Sequence, residues 1–114
     1  MNRETFLQNI EKTYSDGVNL IKVKNADYAN TDDPFQNFRN STASGVILER
    51  GILVRVMDKI TRIANLLDRP PMLAEERIVD SLLDAINYLA ILKVYIEGDK
   101  SNDKQKRDET KVVH

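Results

Sequence analysis

This sequence predicts an all-α fold, on three observations. Three long stretches carry apolar residues at helical spacing, and no stretch keeps the strict alternation of a half-buried strand. The strongest breakers, Pro34, the pair Pro70-Pro71 and Gly98, fall between or after those stretches. The expected architecture is a small bundle of three main helices, with a long loop between helices 1 and 2. It is one domain over 1–97, followed by a disordered, charge-mixed tail over 98–114.

The first helix is expected from about Arg3 to Lys24, with Phe6, Leu7, Ile10, Tyr14, Val18 and Ile21 along one face. Gly17 interrupts this pattern and weakens it by about 1 kcal/mol relative to Ala. Lys22 and Lys24 close the helix, where cations complement its dipole. Asn25 to Thr42 loses periodicity and is rich in Asn, Asp, Ser and Thr, so it reads as a loop. Loops of that length are uncommon and often functional. This one carries Tyr28, Phe35 and Phe38, whose rings must pack either on a ligand's base or into the end of the bundle. Asp27 and Asn37 need no role beyond turn formation.

Ser44 is a plausible N-cap for the second helix, which reaches Leu67. Its apolar face is Val46, Leu53, Val56, Met57, Ile60, Ile63, Ala64 and Leu67, and its polar strip is Arg55, Asp58, Lys59 and Arg62. Asp58 and Arg62, four apart, can pair. Asp68-Arg69-Pro70-Pro71 then breaks the helix.

The third helix, Glu75 to Glu97, is apolar round most of its circumference, as a central helix usually is. Three helices leave such a surface incompletely covered. A homo-oligomer, most simply a symmetric dimer, is expected to complete the core. Glu76, Asp80, Asp84 and Asn87 form a polar row within about 80° on this helix. The row is either a solvent strip or a site needing a cation, a proton or a basic neighbour. Helices joined by a short connection pack side by side, so the acidic row and the basic strip can converge. Glu76, Asp80 and Asp84 are then candidate Mg²⁺ ligands, with Arg55, Lys59 and Arg62 on phosphate oxygens. Without metal, the same groups would make an interhelical salt-bridge network.

Composition narrows the chemistry. Charged residues make up 31% of the chain but balance to a net −1, which gives no strong signal for nucleic acid. There is no Cys, and the single His is His114, so thiolate and histidine sites and Ser-His catalysis are set aside. No apolar run approaches the roughly 20 residues of a membrane span, and no signal peptide is visible. A soluble, cytoplasmic protein is expected.

Four blocks in order, KNADY (Lys24–Tyr28), FQNF (Phe35–Phe38), RVMDKITRIANLL (Arg55–Leu67) and ERIVDSLLDAINYLAI (Glu76–Ile91), resemble the nucleotide-modification-associated domain family of phages and bacteria. That resemblance implies a phage-type protein linked to nucleotide metabolism, in the cytoplasm of the host cell. More weakly, the third helix resembles the E-x-x-D-x-x-x-Y end of MazG-type all-α nucleoside-triphosphate pyrophosphatases, with Asp84 and Tyr88 at the D and Y places. Ser81 stands where that motif has Glu, and the paired E-x-x-E of the earlier helix is absent.

Residues and resemblance together nominate a nucleotide-binding groove of Lys24, Asp27, Tyr28, Phe35, Phe38, Arg55, Asp58, Lys59, Arg62, Asp84, Asn87 and Tyr88. The leading expectation is a protein that binds, and by analogy sequesters, a nucleotide or nucleotide-derived signal of bacterial defence. A Mg²⁺-dependent nucleoside-triphosphate pyrophosphatase and a purely structural or interaction protein are the alternatives. No cofactor is expected beyond Mg²⁺ in the enzymatic case.

Overall fold

The computed structural model describes residues 1–27, 32–39 and 45–104, and it is all-helical, with no strand among the described residues. In chain order the helices are α1 (Arg3–Asp27), the single turn α2 (Gln36–Arg39), α3 (Leu48–Leu67), α4 (Pro71–Gly98) and a last turn, α5, over 100–104. No described helix is long and apolar enough to cross a membrane.

Asn2 caps α1, its Oδ1 accepting from the Thr5 backbone N–H at 2.8 Å. The helix runs three residues beyond the expected end at Lys24, because Asn25-Ala26-Asp27 contains neither Pro nor Gly to stop it. The expected long loop is corrected further by α2. Asp33 Oδ1 accepts from the Phe35 N–H at 3.0 Å, and the Asp33 carbonyl accepts from the Gln36 N–H at 3.2 Å, which together start the turn. The α3 N-cap is Ile47, with no side-chain cap bond, and Ser44 lies outside the described residues. Pro71 does not precede α4 as a breaker but sits in its first turn, where its missing N–H costs nothing.

Antiparallel packing of α3 on α4 makes the body of the molecule. On α4 the row Ala74, Ile78, Ser81, Ala85, Tyr88, Leu92, Tyr95 repeats at 4 and 3 residues and is buried or half-buried throughout. Its small members, Ala74, Ser81 and Ala85, allow close approach at one end. At the other end, Tyr95 packs with Leu48, Ile52, Phe35 and Phe38 to form the core. Phe35 meets Tyr95 edge-on at 5.2 Å, and Phe38 meets Tyr88 at 6.1 Å. Phe35 and Phe38 thus plug the bundle. The buried face of α3 is Leu48, Ile52 and Val56, continued by half-buried Ile63 and Leu66. Of the apolar face expected from sequence, Leu53, Met57, Ile60, Ala64 and Leu67 are exposed, since α3's apolar arc is wider than one neighbouring helix can cover.

α1 crosses α4 where Gly17 meets Leu83 and Asn87, and a Cβ at Gly17 would stand 2.7 Å from Asn87 Oδ1. Gly17 is therefore a packing requirement and not a weak point. Past α4, the expected disordered tail is corrected over 99–104. Asp103 on α5 accepts from the Tyr95 hydroxyl at 2.6 Å and from Arg39 at 3.0 Å, and Lys100 lies 3.5 Å from Glu49. Residues 105–114 lie outside the described residues.

Candidate functional site

The seam between α3 and α4 changes character along its length. Positions 48 and 52 of α3 put Leu and Ile into it; continuing the same spacing puts Arg55, Lys59 and Arg62 there. Basic groups in an interhelical seam are costly unless something anionic meets them. The seam opens at that point into a groove of about 560 Å³, lined by Arg55, Asp58, Lys59, Thr61, Arg62, Asn65, Leu66, Arg69, Arg77 and Tyr88. That volume is within the usual ~300–1,000 Å³ of small-molecule sites.

The five cations differ in how they are held. The Arg55 guanidinium lies over the Phe38 ring at 4.6 Å, faces Tyr88 at 6.0 Å and donates to the Asn37 carbonyl at 3.3 Å. Lys59 Nζ stands 3.1 Å from Asp84 Oδ2, and Lys24 reaches the other oxygen of Asp84 at 3.6 Å. Arg62, Arg69 and Arg77 are exposed and make no ion pair among the described residues. Among the described residues Asp58 is the only carboxylate lining the groove, and the expected Asp58–Arg62 pair is not made.

Of the residues nominated from sequence, Arg55, Asp58, Lys59, Arg62 and Tyr88 line this groove, and Asp84 and Lys24 reach it through Lys59. Phe35 and Phe38 are corrected to core residues, although Phe38 supports Arg55. Asn87 is corrected as well: it is buried and donates from Nδ2 to the Gly17 carbonyl at 3.1 Å, tying α1 to α4. Tyr28 and the Asp27 side chain lie outside the described residues.

The proposed Mg²⁺ ligands are not brought together, and no described group of three acidic or histidine side chains could hold a metal ion. Glu76 and Asp84, eight residues apart on one helix, are separated by about 12 Å of rise. Both Glu76 and Asp80 are exposed, and the two lysines engage Asp84. Sequence reasoning missed Arg69 and Arg77. Arg69 had a signal, being seven residues past Arg62 on the same row; Arg77 had none, because the α4 row was read for its acids.

A second polar cluster joins α2, α4 and α5. Arg39 bridges Asp33 and Asp103, and these acids hold its guanidinium protonated well above its ordinary range. Burial, then the bond to Asp103, pushes the Tyr95 hydroxyl well above its usual value. Both shifts favour the forms already present at neutral pH, so the cluster acts as a structural latch.

No protein family, curated protein or solved structure matches the chain.

Proposed function

We propose that this protein binds a small phosphate-bearing molecule of nucleotide type in the groove between α3 and α4. The observation that carries the reading is the lining: among the described residues, Arg55, Lys59, Arg62, Arg69 and Arg77 stand against the single carboxylate of Asp58, in a chain whose net charge is −1. Arg presents planar donor pairs that match phosphate oxygens, and Lys59 adds a point charge. Tyr88 and Leu66 offer an apolar surface, with Thr61 and Asn65 as polar groups beside it. A purely structural role leaves unexplained three arginines around one groove that have no ion pair among the described residues.

Binding is favoured over hydrolysis because the carboxylates are dispersed, and the pyrophosphatase alternative needs them grouped. In this reading the protein is a phage-type, cytoplasmic homo-oligomer. Capture of a nucleotide signal of bacterial defence is the extension suggested by the family resemblance.

The test is calorimetric titration of the wild-type protein with a panel of mono-, di- and triphosphate and cyclic nucleotides, with and without Mg²⁺, followed by mass spectrometry of the bound species. The expected result is binding without Mg²⁺, with the ligand recovered intact. Arg62→Ala and Arg77→Ala should each weaken it by about 1.5–3 kcal/mol, the range for hydrogen bonds to charged groups. No binding by any phosphate compound at millimolar concentration would overturn the proposal, and Mg²⁺-dependent cleavage would restore the enzymatic alternative.

A further inference from the structure

The cations of the groove are not spread evenly along it. Lys59 opposite Asp84 and Arg55 beside Tyr88 fix the antiparallel alignment of α3 and α4. Each step towards Leu67 on α3 is therefore matched by a step back towards Pro71 on α4. In that direction Arg62 stands about 4.5 Å beyond Lys59, and Arg77 about 10.5 Å beyond Asp84, at the rise of a helix. Arg69 follows just past the end of α3. Arg62, Arg69 and Arg77 thus gather towards the α3–α4 connection. All three are exposed, with no ion pair or side-chain hydrogen bond among the described residues.

Tyr88 marks the opposite end. It is the one aromatic among the described residues that line the groove, and it lies at the level of Arg55. The cations at this end are already engaged, Arg55 by the Phe38 ring and Lys59 by Asp84. The groove therefore runs from a ring and engaged cations to three open guanidiniums. Tyr88 and Arg77, on the same helix, are separated by about 16.5 Å of rise.

We infer that the ligand is a nucleoside polyphosphate, taken as the metal-free anion, with its base at Tyr88 and its phosphate chain on Arg62, Arg69 and Arg77. The inference rests on the binding role proposed above and names the ligand's class and direction. A base stacked on Tyr88 carries its first phosphate only one sugar away, to the neighbourhood of Lys59 and Arg62. Further phosphates are needed to reach Arg77 and Arg69. Charge gives the same answer. Five cations against the one carboxylate of Asp58 leave the lining four positive. A single phosphate brings about −1.5 to −2 and three acceptor oxygens, too few for three planar guanidinium forks. Mg²⁺ coordinates the same phosphate oxygens and cancels part of their charge, so it works against this mode of binding.

The test is calorimetric titration of the full chain, without Mg²⁺, with the mono-, di-, tri- and cyclic monophosphates of adenosine, guanosine, cytidine and uridine. For at least one base, affinity should rise about ten-fold or more from the monophosphate to the triphosphate. Arg69→Ala and Arg77→Ala should each weaken the triphosphate about ten-fold or more and the monophosphate less than about three-fold. Both arginines are exposed, so melts of these variants should match the wild type. Millimolar Mg²⁺ should weaken the triphosphate several-fold. Equal affinity for mono- and triphosphates, or binding of cyclic nucleotides alone, would overturn this inference and leave the binding role standing. No binding by any phosphate compound would overturn both. A rise with phosphate number that survives both substitutions, or triphosphate binding that Mg²⁺ tightens, would also overturn the inference.

Discussion

Asn87 donates from Nδ2 to the backbone carbonyl of Gly17 at 3.1 Å, and its other side-chain atom, Oδ1, fills the space where a Cβ at position 17 would go. One amide thus ties α1 to α4 and crowds any side chain placed at position 17.

A sign reversal follows from that contact. Gly17→Ala gains about 1 kcal/mol of helix propensity but incurs an overpacking cost of about 1–3 kcal/mol, so it should destabilise the wild-type protein. In an Asn87→Ala background the crowding is gone, and the same Gly17→Ala change should stabilise. Chemical denaturation of the four proteins of this cycle reads it directly; a stabilising effect in both backgrounds would mean that the contact is slack.

Asp84→Asn removes the charge that engages Lys59 and Lys24. The Lys59 and Asp84 side chains are 28% and 21% exposed, and Lys24 is more open, so the stability loss should stay under about 1 kcal/mol. Lys59 is then released toward the groove, and phosphate compounds should bind roughly 0.5–1 kcal/mol more tightly. Paired melts and titrations test this. A loss of several kcal/mol of stability would instead identify a tightly coupled ion network.

Truncation after Gly98 should not be neutral. It removes Asp103, leaving the buried Tyr95 hydroxyl without its acceptor and Arg39 without one of its carboxylates, and it removes Lys100 from beside Glu49. A buried hydroxyl left unpaired costs about 1–3 kcal/mol, and Asp103→Ala should reproduce most of the loss. Equal denaturation midpoints for the truncated and complete chains would show that α5 contributes nothing.

The raised Tyr95 hydroxyl makes a prediction at alkaline pH. In the unfolded chain it ionises near its ordinary value of about 10, while in the fold it keeps its proton to higher pH. Above about pH 10 the folded state binds more protons than the unfolded one, so stability falls by up to about 1.4 kcal/mol per pH unit for this group. Its contribution is complete below that pH and is lost as pH rises toward the folded value. Tyr95→Phe should flatten the difference between melts at pH 9 and pH 11; an unchanged slope would assign the effect elsewhere.

The helices and the basic strip were legible because periodicity is local: Arg55, Lys59 and Arg62 share a face whatever surrounds them. What the faces meet is not local. The row Glu76, Asp80, Asp84, Asn87 looked like one site, yet Asn87 faces α1, Asp84 faces lysines of two helices, and the first two acids face water. The same limit hid the purpose of Gly17, which only its neighbour across the helix crossing explains. Phe35 and Phe38 sat in a polar stretch whose short turn, set by Asp33, aims them at Tyr95 and Tyr88.

Arg55 lies over the Phe38 ring and beside the Tyr88 ring while lining the groove. It thereby belongs to two structures at once, the plug of the bundle and the wall of the groove. The proposed anion, bound through Arg55, would therefore be coupled to the turn over 36–39, and by thermodynamic reciprocity a change in how that turn is seated would alter the anion's hold by the same factor.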